Sequence, residues 1–343
     1  MEVTIDPALQ QAAYDQLVGP GYEGSAVAIQ PSTGKVLAMA SNPGYNPNDL
    51  MGDSAEDNWA NLQEQEGQPL VNHAGAETLP PGSIFKVITT AAGLNNGFDP
   101  SSTLTGSNVI TLPDTVTELT NYANQKCNGQ DSVTLQTAFA LSCNTAFVEM
   151  SEQIGADELR KYAKAFGVGE NYDLGVSTSG GTLGDLPDGA ATAQSAIGQR
   201  DVTMTALQAA VMAGTVANKG TRMQPYLVNR ITDAQMKDVR TTKPKKADQA
   251  VNEETAATLT DLMYASERSS WGYDGNGFAS KTGTAEHGGG LAPHVWYVAF
   301  DPERDIAVGV VVKNGGNLGE SATGGKVSGP IGRAILRAYQ GEQ

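Results

Sequence analysis

The sequence predicts a mixed α/β (α+β) fold: a five-stranded antiparallel sheet flanked by helices, plus an all-helical subdomain. Two observations carry this. Strand-like apolar runs cluster at the two ends of the chain, at 24–29 and 35–40 and again at 278–282, 294–300 and 306–312. The stretch between them reads as mostly helical, so the chain ends meet in one sheet and the middle is an insertion. The expected division is a single domain over 1–343, with a sheet part at about 1–75 and 222–343 and a helical part at about 76–221.

The elements follow in order. Residues 7–18 carry apolar Ala8, Leu9, Ala12 and Leu17 at helical spacing behind the candidate caps Thr4 and Asp6. The runs 24–29 and 35–40 flank Gln30-Pro31-Ser32-Thr33-Gly34, whose turn chemistry makes them a hairpin. Residues 42–75 are polar and rich in Asn, Gly and Pro, a long surface excursion. Residues 83–94 form a helix entered through Pro80-Pro81-Gly82 and left through Asn95-Asn96-Gly97. Further helices are expected at 135–140, 144–154, 157–166 and 204–217, the last capped by Thr203 or Thr205. A hairpin at 226–232 and 236–239 and a helix at 253–265 precede the three late strands, and a helix at 327–339 closes the chain. The basic run 241–246 reads as a solvated loop.

Composition excludes several classes. The chain has 343 residues, 38 acidic against 22 basic, and a net charge of −16, which offers nucleic acid no basic face. Thirty-nine per cent hydrophobic content fits a packed globule. No apolar run reaches the roughly 18 residues of a membrane helix, and the first residues lack the basic and apolar regions of a signal peptide. Two cysteines and three scattered histidines form no metal-binding spacing, so neither a metal nor a cofactor is expected.

Three short motifs carry chemistry. Ser83-Ile84-Phe85-Lys86 opens a helix, and positions i and i+3 share a face, so hydroxyl and amine can meet. A serine needs a base, which a neutral lysine can supply, and the helix start offers N–H groups to an oxyanion. Ser32-Thr33-Gly34-Lys35 has the same spacing but lies in a turn that aligns nothing. Ser142-Cys143-Asn144 offers a second hydroxyl to relay a proton and an amide to hold a peptide. Lys281-Thr282-Gly283-Thr284 lies on a strand that can pair with an extended peptide, its glycine allowing close approach and its lysine and threonines suiting a carboxylate. Taken alone, each motif reads as an ordinary helix cap or edge strand. Their combination and order match the signature of penicillin-binding proteins and serine β-lactamases.

With these motifs, the segment Thr4-Ile5-Asp6-Pro7-Ala8-Leu9-Gln10, the hairpin at 24–40 and the nucleophile segment at 77–87, the chain resembles class B penicillin-binding proteins, most of all the actinobacterial penicillin-binding protein A group. The resemblance implies the penicillin-binding protein/serine β-lactamase-like transpeptidase fold. It implies a D,D-transpeptidase that cross-links peptidoglycan stem peptides through a serine acyl-enzyme and is acylated by β-lactam antibiotics. Carried over, Ser83 is the nucleophile, Lys86 its base, Ser142 a proton shuttle and Asn144 a grip on the peptide amide. Lys281 keeps the site electropositive, Thr282 and Thr284 bind the terminal carboxylate beside Gly283, and the N–H groups of Ser83 and Thr284 form the oxyanion hole. Two nearby ammonium groups favour a neutral Lys86.

The resemblance further implies an extracytoplasmic location, membrane anchoring and a membrane glycosyltransferase partner in the full-length protein. The family's membrane helix and pedestal domain are not within these residues, so the chain is expected to be an extracytoplasmic fragment. Such a location permits a Cys127–Cys143 disulfide bracing the Ser142 loop, two buried free thiols being the alternative. His287 and the glycines at 288–290 are expected to form a flap over the cleft, with His287 either touching substrate or facing solvent. A D,D-carboxypeptidase or β-lactamase would use the same acylation apparatus. Against a β-lactamase stand the lack of an E-x-x-L-N segment to activate deacylating water and the presence of S-x-N where the class D enzymes have S-x-V. A non-catalytic β-lactam sensor would need a transmembrane relay and a zinc-protease segment, and neither is visible.

Overall fold

Asp6 begins the first helix by accepting hydrogen bonds from the N–H groups of Ala8 and Leu9, and Pro7 supplies the pre-set first turn. The resulting helix α1 (Pro7–Val18) buries Leu9, Ala13 and Leu17, a stripe four residues apart, against the sheet. These are features of a computed structural model that describes residues 1–286 and 290–341.

The central sheet consists of β1 (Gly24–Ile29), β2 (Val36–Asn42), β3 (Ala279–Ala285), β4 (His294–Asp301) and β5 (Ile306–Val312). The order across it is β3-β4-β5-β1-β2, every neighbour antiparallel, so strands from both chain ends meet at the β5–β1 pairing. β1, β4 and β5 are buried along their whole length, which explains their continuous apolar runs. β3 is an edge strand, with Lys281 opposite Val298 and Gly283 opposite Trp296. Helix α1 and the last helix, α9 (Ser328–Ala338), cover one face of the sheet; the larger core on the other face joins it to the helical middle of the chain.

The longer intervening helices are α2 (Ala55–Glu64), α3 (Lys86–Leu94), α4 (Leu135–Ala140), α5 (Asn144–Ala165), α6 (Gly189–Ala196), α7 (Ala206–Ala217) and α8 (Glu253–Ser269). α7 begins with a reciprocal cap in which Thr205 and Gln208 each bond the other's backbone N–H. The segments expected at 144–154 and 157–166 are one element, interrupted by left-handed Gly155.

Several expectations are corrected. The insertion is not all-helical: Thr103–Thr105 pairs with Ser132–Thr134 and Val109–Thr111 with Glu118–Thr120. Strands of three residues bury too little to leave a period in the sequence. α2 lies within the polar excursion and buries no residue, so it has no apolar stripe to reveal it. The expected hairpin at 226–239 is Val228–Thr232 with Asp238–Thr241, extended by Glu2–Val3 into a three-stranded ribbon.

Candidate active site

The serine at position 83 is placed by its approach. Gly82 is left-handed (φ 53°), and a Cβ there would lie 2.9 Å from the Thr284 carbonyl oxygen, so glycine is required by both conformation and space. The chain then makes a 3₁₀ turn, Gly82–Phe85, before α3 begins at Lys86. The helix expected from residue 83 thus starts three residues later. In a 3₁₀ turn residues i and i+3 eclipse, which sets Ser83 and Lys86 on the same side. The turn is tied down by Trp296 Nε1 donating to Pro80 O (2.8 Å) and by Gly82 N donating to Gly198 O (2.9 Å). Strand β3 runs directly against it: a Cβ at Gly283 would lie 2.7 Å from Pro81 O. That contact is the close approach for which the third motif needs its glycine.

The three motifs converge on one point. Lys86, fully buried, donates from Nζ to Ser142 O (2.8 Å), Asn144 Oδ1 (2.7 Å) and Ser142 Oγ (3.4 Å). Lys281, 1% exposed, donates to Ser142 Oγ (2.9 Å) and to Thr282 O (3.0 Å). The Ser142 hydroxyl therefore receives both ammonium groups, and no acceptor among the described residues takes its own proton. Ser142 is left-handed (φ 61°) at the junction of α4 and α5, and Asn144 Nδ2 donates to Thr120 O (3.1 Å). Phe147 and Phe139 back the two lysines, with ring centroids 5.1 and 5.8 Å from the respective Nζ atoms.

Burial governs the charge of this pair. It pushes the Lys86 ammonium well below the usual lysine range, and the neighbouring Lys281 cation pushes it further in the same direction. Burial lowers Lys281 to about 7. Both lysines are thus easily neutralised, and each has a hydroxyl within reach.

One expected contact is not formed. Ser83 Oγ makes no hydrogen bond to Lys86, or to any other side chain among the described residues. The Lys86 amine is held by Ser142 O, Asn144 Oδ1 and Ser142 Oγ, the polar atoms nearest to it in a buried setting. Ser83 instead faces a cleft of about 910 Å³, which Ser142, Asn144, Thr282 and Thr284 also line. Thr284 Oγ1 accepts weakly from Gly324 N (3.4 Å). Cys127 and Cys143 are joined in a disulfide with Cα atoms 5.7 Å apart, tying the residue inside the second motif to the preceding loop. The look-alike Ser32, in the β1–β2 turn, is elsewhere and bonds to Asp305 between β4 and β5. His287, with Gly288 and Gly289, lies outside the described residues.

Sequence reasoning missed the walls of the cleft: the segment 118–124, Leu141, Gln194, Gln199, Arg200 and Glu286. Ala123 and Asn124 are left-handed (φ 53° and 54°), as is Arg200 (φ 62°). Nothing in these residue types announces a rim. Among the described residues no metal-binding group of His, Cys, Asp and Glu occurs, and no helix is long and apolar enough to cross a membrane.

A serine turn, a buried lysine pair and a serine–asparagine loop, all facing the edge strand of a five-stranded antiparallel sheet, define a penicillin-binding catalytic domain. The chain belongs to the penicillin-binding protein transpeptidase domain family, whose model matches residues 24–337. It is 45% identical to the peptidoglycan D,D-transpeptidase PbpA of Mycolicibacterium smegmatis, over 98% of this chain and 72% of that protein. To its Mycobacterium tuberculosis counterpart it is 42% identical, over 100% of this chain and 73% of that protein. The ceftriaxone acyl-enzyme of M. tuberculosis penicillin-binding protein A superposes with a TM-score of 0.94 at 41% identity, covering 98% of this chain and 79% of that one. A D,D-transpeptidase domain from Eggerthella lenta gives a TM-score of 0.84 at 26% identity, covering 98% and 81%.

Proposed function

We propose that the chain is a peptidoglycan D,D-transpeptidase that cross-links stem peptides through an acyl-enzyme on Ser83 and is inhibited covalently by β-lactams. The observation that carries this reading is the shared hydroxyl of Ser142: Nζ atoms from two distant motifs meet on it, at 3.4 Å from Lys86 and 2.9 Å from Lys281, in the cleft that Ser83 faces.

The roles follow from the geometry. Ser83 Oγ attacks the carbonyl of the D-Ala-D-Ala bond. Lys86, kept neutral by burial and by the Lys281 charge, takes the serine proton, a step that needs it to turn from one of its three acceptors. Ser142 passes a proton to the departing D-Ala amine and is recharged by a lysine. Lys281, Thr282 and Thr284 hold the terminal carboxylate, and Asn144 holds a backbone amide of the donor. The N–H groups of Ser83 and Thr284 stabilise the oxyanion, a role supported by the tight packing of Gly82 against Thr284 O. Attack by an amine of a second stem peptide then releases Ser83.

The same reading takes the chain as one catalytic domain working outside the cytoplasmic membrane, anchored there in the full-length protein and served by a membrane glycosyltransferase. The disulfide supports the oxidising location. The test is turnover of a pentapeptide ending in D-Ala-D-Ala with and without a D-amino acid acceptor. A transpeptidase forms the exchanged peptide in preference to the hydrolysed one. Hydrolysis alone, unaffected by acceptor, would make the chain a carboxypeptidase.

A further inference from the structure

We propose that Arg200 is a specificity-determining residue that reads a carboxylate on the donor stem peptide, so that the chain prefers donors whose diamino acid before D-Ala-D-Ala bears a free side-chain carboxylate. The inference rests on the transpeptidase reading and deepens it.

Arg200 is the one basic side chain among the described residues that line the cleft; the two catalytic lysines lie buried beneath its surface. Its place relative to Ser83 is fixed. Residues 196–204 run alongside the nucleophile segment, with Leu79 and Met204 exchanging both backbone hydrogen bonds (3.0 and 2.9 Å), Gly82 N donating to Gly198 O and Thr89 Oγ1 donating to Ala196 O (2.6 Å). A group at this position therefore keeps its distance from whatever is acylated onto Ser83, which is the donor and not the acceptor.

The guanidinium is oriented with one edge left open. Nη1 donates to Asp185 O (2.6 Å) and pairs with the Asp201 carboxylate (2.9 Å). Nε and Nη2 make no hydrogen bond among the described residues, and the side chain is 31% exposed. That free edge is the pair of donors a carboxylate takes bidentately. The backbone is left-handed (φ 62°), a conformation an arginine adopts only at a cost and that glycine would adopt freely. With a net charge of −16 the chain as a whole repels anionic peptides, so a second carboxylate on the donor needs a local cation. The terminal carboxylate is already assigned to Lys281 and the two threonines.

The test compares donors of the form acyl-X-D-Ala-D-Ala, with X as diaminopimelate bearing a free side-chain carboxylate, its carboxamide, or lysine. D-Ala release is followed at fixed acceptor for the wild type, Arg200→Gly and Arg200→Lys. Glycine suits the left-handed backbone, so the fold is kept. The wild type is expected to favour the carboxylate donor by about tenfold to a hundredfold in kcat/KM, the range of a charge-assisted pair. Arg200→Gly brings the three donors towards parity, and Arg200→Lys keeps part of the preference. Equal turnover of the three donors by the wild type, or an undiminished preference in Arg200→Gly, overturns the inference and leaves the transpeptidase reading standing. A wild type that turns over none of them overturns both.

Discussion

Replacing Lys281 by methionine, an apolar side chain of similar length, is expected to stabilise the fold while abolishing function. Burial holds the Lys281 ammonium at about 7 in the folded protein, against about 10.4 for an unfolded lysine. A lysine lowered on folding costs stability that is fully felt below the folded value and fades as pH rises towards the unfolded one. The native state binds fewer protons throughout that window, so wild-type stability climbs with pH. Between pH 6 and pH 9 the linkage amounts to roughly 3 kcal/mol, at 1.36 kcal/mol for each pKa unit. Lys86, relieved of its charged neighbour in the variant, moves back up and adds to the contrast. Against this stands the hydrogen bond lost to Ser142 Oγ, about 1–3 kcal/mol and independent of pH. Guanidinium unfolding of both proteins across pH 6–9 reads the difference. The variant's advantage should be greatest at pH 6 and shrink by about 3 kcal/mol at pH 9. A stability difference that stays level across this range would refute the argument that Lys281 is held neutral-prone by burial.

Lys281→Arg keeps a cation that does not titrate, so the fall in β-lactam acylation expected in the wild type above about pH 7 should flatten in a stopped-flow pH profile. Asn144→Ala removes the 2.7 Å acceptor of Lys86 and the tie to Thr120, and should slow acylation by about 10²-fold and destabilise the fold by about 1–3 kcal/mol in chemical denaturation. Glu267→Gln should destabilise the fold by about 3–5 kcal/mol in chemical denaturation, because buried Arg333 loses its 2.7 Å ionic partner while Ser280 and Tyr297 lose their charged acceptor.

Much of this was legible because the signals were local or periodic. Asp6 before Pro7, and Thr205 three residues before Gln208, mark helix starts without tertiary help. The continuous apolar runs of β1, β4 and β5 declare strands covered on both faces. The three motifs pointed to a common site because their residue types make chemical sense only together. What stayed hidden depended on long-range contacts. The i, i+3 spacing of Ser83 and Lys86 suggested a hydrogen bond, but the lysine's three acceptors come from residues 56 and 58 positions away, which no spacing rule anticipates. The three-residue ladders around Leu104 and Ile110 leave no alternation to count. Arg200 was hidden for a different reason: a left-handed arginine looks in sequence like any loop cation, and only the clamp between Gly82 and Gly198 brings it to the cleft that Ser83 faces.

Acylation is expected on the Ser83 hydroxyl. Fluorescent penicillin labelling, followed by proteolysis and mass spectrometry of the adduct, locates it directly. The label should reside on the peptide containing Ser83, persist for hours and vanish in Ser83→Ala. Label on any other residue, or undiminished labelling of Ser83→Ala, would rule out Ser83 as the acylated residue.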